Sequence, residues 1–147
     1  LKVVTPLAVH DMSAQGLQGL GISLRKAEYI KDFADRIVSG EFDLQAVGQM
    51  SDAEAITALS SLKGIGKWTA EMILLFCLQR PDILSFDDLA IQRGLRMLYH
   101  HRKITRELFN KYQKRYSPYG STAAIYLWAI AGGAIEGMKD YAPAKKR

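Results

Sequence analysis

Leu62-Lys63-Gly64-Ile65-Gly66-Lys67-Trp68-Thr69-Ala70 is the stretch on which the fold turns. Two glycines flank one hydrophobe, after a capped helical run and before an apolar one. Glycine permits positive φ and close approach of another group to the backbone. Ile65 can point inward and pin the turn. The amides of Gly64 and Gly66, with those of Lys67, Trp68 and Thr69 at the start of the next helix, then face outward. A helix N-terminus with its dipole behind it is a site for a phosphate. Lys63 and Lys67 add positive charge beside it. The same Gly-x-Gly also reads as a tight helix connection with a glycine stop.

Outward from this turn, every strong signal is helical. Leu24, Ala27, Ile30, Phe33, Ala34, Ile37 and Val38 follow the three-and-four spacing of one helical face. Ser23 stands before them as an N-cap and Gly40 after them as a stop. Ser51-Asp52-Ala53-Glu54 has the capping-box pattern and opens a helix to about Ser60. From about Lys67 to Leu78 the chain is apolar on most faces, which predicts a buried central helix. Further helices are expected from about Asp87 to Tyr99, Thr105 to Tyr116 and Ser121 to Ala131. Pro118 and Gly132-Gly133 act as breakers. No sustained alternation or hairpin-turn dipeptide marks a strand. The expected fold is all-α, a helical bundle containing a helix-hairpin-helix.

The chain has 147 residues, room for one domain with a real core. Its 20 basic and 15 acidic side chains leave a net charge of +5, compatible with a polyanionic partner without proving one. A single cysteine, Cys77, excludes an internal disulfide, a four-cysteine zinc site and an iron–sulfur cluster. Its apolar surroundings predict a small buried hydrophobe. No signal peptide or membrane-length apolar run is visible. The expectation is an intracellular protein, at the nucleoid in a bacterium or in the nucleus of a eukaryote.

Asp87 and Asp88 follow a loop containing Pro81 and precede an amphipathic run. Aspartate is favoured at helix caps and first turns, so capping explains at least one of them. None of His10, His100 and His101 has a sequence partner that points to catalysis. His100-His101-Arg102-Lys103 reads as a solvated basic turn.

Leu62 to Ala70 resembles the helix-hairpin-helix of the base-excision DNA glycosylase superfamily, HhH-GPD. Gly21-Ile22-Ser23-Leu24-Arg25-Lys26-Ala27, Phe86-Asp87-Asp88-Leu89-Ala90-Ile91 and Tyr126-Leu127-Trp128 carry the match further. The resemblance runs from about Leu17 to Gly133 and is nearest to the 3-methyladenine DNA glycosylase II type. It implies a DNA-glycosylase-like fold and an N-glycosyl hydrolase of base excision repair. The substrate class would be alkylated purines such as 3-methyladenine, flipped out of double-stranded DNA. The family's catalytic aspartate maps onto Asp88, leaving Asp87 as the cap or as a residue behind it. Trp68 and Trp128 map onto aromatic positions of the base pocket, where an indole face attracts a cationic base.

In the bifunctional branch of the family a lysine stands two residues after the second hairpin glycine. That position here is Trp68, which cannot form a Schiff base. Lys67, one residue earlier, is turned by about 100° on a helix. The resemblance therefore implies a monofunctional enzyme that uses water. Two other readings stay open: a non-catalytic helix-hairpin-helix DNA-binding module, and a bifunctional glycosylase/lyase for oxidised bases. The family also holds a monovalent cation, sodium or potassium, at hairpin carbonyls, here those of Ser60, Leu62 and Ile65. No other cofactor is implied. Family members carry a further helix before the region matched here, and Leu1 to Gln15 is too short for it. The expected organisation is a glycosylase domain over residues 1–138 lacking that helix, with a missing N-terminal segment or second chain completing the bundle. A basic tail over residues 139–147 is expected to fray.

Overall fold

The computed structural model describes residues 3–143, and among them every regular element is an α-helix. The helices are α1 (Pro6–His10), α2 (Ala14–Gln18), α3 (Leu24–Val38), α4 (Leu44–Gln49), α5 (Asp52–Ser60), α6 (Lys67–Phe76), α7 (Leu89–Tyr99), α8 (Arg106–Tyr116) and α9 (Gly120–Ala131). The chain divides into two compact units, Leu1–Ala70 and Glu71–Arg147, with the division inside α6.

In the first unit α1 and α2 pack on α3. Val9, Leu17, Ala27 and Ala34 form the shared core; small alanines on α3 let the short helices come close. Ser23 caps α3 as its position predicts, and the helix stops at Ser39 with Gly40 at φ +77°. The end of α1 is tied down by two polar contacts. His10 Nδ1 meets Asp35 Oδ1 at 2.7 Å, and Lys31 Nζ donates to the His10 carbonyl at 2.8 Å. Lys31 and His10 hold the Asp35 carboxyl below its ordinary range. The capping box at Ser51 forms in full, with Glu54 reaching back to the Ser51 amide at 2.9 Å.

In the second unit α7 and α9 pack at Gly94, where an added Cβ would lie 2.4 Å from the Leu127 carbonyl oxygen. Ile91 and Leu95 are fully buried on the same side of α7. On α8, buried Phe109 meets Phe86 edge to face at 5.3 Å. Tyr99 and Tyr112 stack at 4.2 Å, and the Tyr99 and Tyr116 hydroxyls lie 2.9 Å apart. Burial and that hydrogen bond push the Tyr116 phenol far above its ordinary value.

Two regions are more ordered than their composition predicts. The basic turn is not wholly solvated: His101 Nε2 lies 2.6 Å from the Tyr112 hydroxyl, while Arg102 and Lys103 are exposed. The start of the basic tail is anchored, because Arg96 grips Asp140 with Nε and Nη2, both at 2.7 Å. The remainder of that tail, residues 144–147, lies outside the described residues. Cys77 is exposed rather than buried, because it follows the exposed last residue of α6, Phe76, on the solvent side of the helix end. Among the described residues, no helix is long and apolar enough to cross a membrane.

Candidate active site

The hairpin is built on Leu62, which is buried. The Ile65 amide donates to the Leu62 carbonyl at 3.1 Å, closing the turn. Gly64 sits at φ +82°, and a Cβ there would meet the Tyr29 ring at 2.2 Å. Its glycine is thus required twice, by backbone conformation and by the ring of α3 packed on it. Gly66 is different: its φ is ordinary and an added Cβ would meet no protein atom within 4 Å. The Gly66 carbonyl accepts the Ala70 amide at 2.9 Å, so α6 opens directly from the second glycine. An α-helix leaves the amides of its first turn, here residues 66–69, to acceptors outside its own ladder.

Ile65 is half-buried, so the fully inward residue of the turn is Leu62 rather than the residue between the glycines. Lys63 bonds Asp32 of α3 at 3.2 Å, and Asp32 also accepts Arg36 Nε at 3.0 Å. The Lys63 hydrogen bond, with Arg36 beside it, holds the Asp32 carboxyl below its usual range. Part of the charge that the sequence places at the hairpin is therefore committed to α3. Trp68 is 47% exposed on the first turn of α6.

Asp88 lies in the second unit and is only 7% exposed. Its backbone is extended (φ −81°, ψ 112°), and Oδ1 accepts the amides of Ala90 at 2.8 Å and Ile91 at 2.9 Å. Of the two roles open to Asp87, the cap or a residue behind Asp88, the cap belongs to Asp88 itself. The physical reason is the helix start: α7 begins at Leu89, and only the residue immediately before it can reach those amides. Asp87 is half exposed, 3.9 Å from Arg106 Nη2. The cap holds the Asp88 carboxylate by one oxygen, at the end of a helix whose dipole favours negative charge.

The loop that delivers Asp88 is fixed along its length. Asp82 accepts the Ser117 hydroxyl at 2.5 Å and the Gly120 amide at 3.0 Å. The Ser85 hydroxyl donates to Glu71 Oε2, both residues buried. Gln92 Nε2 donates to the Phe86 carbonyl at 2.7 Å, and the Arg106 guanidinium lies 3.6 Å above the Phe86 ring. On α9, Trp128 is half-buried and stacks on Phe76 at 5.6 Å with rings 12° from parallel. Phe76 is 60% exposed, so the pair is an aromatic shelf open to solvent on the Phe76 side.

The predicted residues thus fall into two groups. Gly64, Gly66, Lys67, Trp68 and Thr69, with the carbonyl positions Ser60, Leu62 and Ile65, belong to the first unit. Asp87, Asp88 and Trp128 belong to the second. Sequence reasoning missed Phe76, Glu71 and Ser85. Glu71 did leave a signal, as the one carboxylate in the apolar run of α6.

Comparison with known proteins identifies the family and the fold. The model of the HhH-GPD superfamily base excision DNA repair protein matches residues 1–118. DNA-3-methyladenine glycosylase 1 of Schizosaccharomyces pombe is 36% identical over 126 residues, 84% of this chain and 55% of that protein. The crystal structure of a DNA-3-methyladenine glycosidase from Bacillus halodurans superposes with a TM-score of 0.80 at 34% identity, covering 92% of this chain and 63% of the other. A Schizosaccharomyces pombe 3-methyladenine DNA glycosylase in complex with abasic DNA gives a TM-score of 0.77 at 32% identity, covering 92% and 66%. The chain spans between half and two thirds of the length of these relatives.

Proposed function

Because the chain belongs to the HhH-GPD superfamily of base excision DNA repair proteins, we propose that it hydrolyses the N-glycosidic bond of alkylated purines such as 3-methyladenine in double-stranded DNA. The observation that carries the proposal is Asp88: a buried carboxylate held by two backbone amides at the start of α7. A carboxylate kept in one orientation away from solvent is suited to stabilise an oxocarbenium-like sugar.

The chemistry needs little else. An N-alkylated purine in DNA carries positive charge, and cleavage of the bond from C1′ returns the electron pair to it, so the base departs neutral. Water adds to C1′ and gives its proton to Asp88 or to solvent. The nucleotide must be flipped for the sugar to be reached. An indole face attracts the cationic base by roughly 0.5–2 kcal/mol, which is the role proposed for Trp68 and Trp128. With tryptophan at position 68, no amine stands at the lyase position, and the product is an abasic strand.

Phosphate contacts fall to the backbone of Gly64 and Gly66 and to the first turn of α6, through Lys67, Trp68 and Thr69. A sodium or potassium ion would be held by the carbonyls of Ser60, Leu62 and Ile65. The Leu62 carbonyl already accepts the Ile65 amide but has a second lone pair for such an ion. The proposal includes a further helical segment or second chain covering α9, on which Ile125 and Tyr126 are 54% and 68% exposed.

The test is incubation with duplex DNA treated with a methylating agent, followed by chromatography of the released bases. Release of 3-methyladenine supports the proposal. A protein that binds the DNA but releases no purine above the spontaneous rate would be a binding module instead.

A further inference from the structure

We infer that Glu71 is a positioning residue for the Asp88 carboxylate, acting through Ser85; the inference rests on the catalytic reading of Asp88.

Glu71 and Ser85 are 7% and 0% exposed, and the Ser85 hydroxyl donates to Glu71 Oε2. Burying a carboxylate is costly unless it is well bonded, and an apolar residue of similar volume is often at least as stable. Glu71 lies among Met72, Ile73, Leu74 and Leu75, where an apolar side chain is the simpler choice. Its position across from the loop supplies a reason for a carboxylate. Ser85 is three residues before Asp88, in a segment with no regular structure. Asp82 pins the start of that segment. Gln92 holds Phe86 and the cap holds Asp88 at its end. Ser85 is the buried point between these anchors, and Glu71 is what it bonds.

The consequence concerns the second carboxylate oxygen. The cap fixes Oδ1 against the amides of Ala90 and Ile91. Where Oδ2 points depends on the backbone that enters the cap, residues 85–88. A strut from a regular helix to Ser85 removes the freedom of that backbone. Displacement of a reacting group by an ångström from a change remote from the chemistry can cost up to about a hundredfold.

The test compares binding to two duplexes, one with a cationic pyrrolidine in place of the target sugar and one with a neutral tetrahydrofuran. Their ratio of affinities reads the carboxylate beneath the sugar and is insensitive to a general loss of DNA binding. Glu71→Met and Ser85→Ala should each reduce the preference for the cationic duplex by about tenfold, with the affinity for the neutral duplex unchanged. Glu71→Gln should retain most of the preference, since its amide oxygen still accepts the Ser85 hydroxyl. In an Asp88→Asn background, Glu71→Met should change nothing further. A full preference in both Glu71→Met and Ser85→Ala overturns the inference while leaving Asp88 in place. So does an equal reduction with and without Asp88. Should Glu71→Met fail to fold, Ser85→Ala decides alone. A preference that survives in Asp88→Asn itself refutes the catalytic reading, a distinct outcome.

Discussion

The two hairpin glycines differ in what they are for. Gly64 is needed by the fold, because φ is +82° and Tyr29 occupies the space of a side chain. Gly66 has room for a Cβ and an ordinary φ. Gly64→Ala should therefore lower thermal stability, by about 1–3 kcal/mol from backbone strain and the displaced ring. Gly66→Ala meets no protein atom and should cost at most about 1 kcal/mol, the difference between glycine and alanine as the residue from which α6 opens. If DNA phosphate approaches the backbone there, Gly66→Ala should nevertheless weaken DNA binding, on damaged and undamaged duplex alike, since phosphate contacts carry no sequence information. Melting curves beside binding titrations separate the two glycines. Normal DNA affinity in Gly66→Ala would remove the phosphate role from the second glycine.

Helices α7 and α9 depend on a residue with no side chain. A methyl at Gly94 would collide with the Leu127 backbone, which cannot yield as a flexible side chain would. Gly94→Ala should cost about 1–3 kcal/mol by overpacking, despite alanine's better helix propensity, and urea denaturation will read it. The end of α7 adds a pH-dependent element. Arg96 holds the Asp140 carboxyl below its ordinary value. Stability from a lowered carboxyl is present above its unfolded pKa and lost as pH falls through the folded one. Melting temperatures from pH 7 down to pH 2 should thus converge for wild type and Asp140→Asn at the acid end and diverge near neutrality. Helices α3, α5, α7 and α8 are legible in the sequence because each has a capping side chain before a patterned run; α9 has no side-chain cap and is legible from its apolar run between the breakers Pro118 and Gly132-Gly133. The five- and six-residue helices α1, α2 and α4 are not, since so few residues carry no period. Asp88 is legible as a helix-start carboxylate, but not as the cap itself, because one residue of boundary decides that. The Glu71–Ser85 bond joins residues 14 apart across an irregular loop, and local pattern does not reach it.

At the scale of the whole molecule, a net charge of +5 and the phosphate site proposed at the hairpin backbone predict DNA binding that is strongly salt-dependent. The affinity for undamaged duplex should fall with log salt at a slope of about −0.9 per phosphate neutralised. A salt-independent affinity would place recognition in apolar contacts instead. The proposed placement of Trp68 at the lyase position gives a second expectation: borohydride added during turnover should trap no protein–DNA adduct, because a tryptophan forms no imine. Asp88 is proposed to support bond cleavage and not merely to start α7. Asn can cap a helix as Asp does, so Asp88→Asn should fold and keep its affinity for DNA. Its neutral amide stabilises a sugar cation far less than a carboxylate. Single-turnover release of methylated purine from duplex DNA, wild type beside Asp88→Asn, is the direct measurement. A loss of about a hundredfold or more is expected in the variant; equal rates in a folded Asp88→Asn protein would show that cleavage does not need the Asp88 carboxylate.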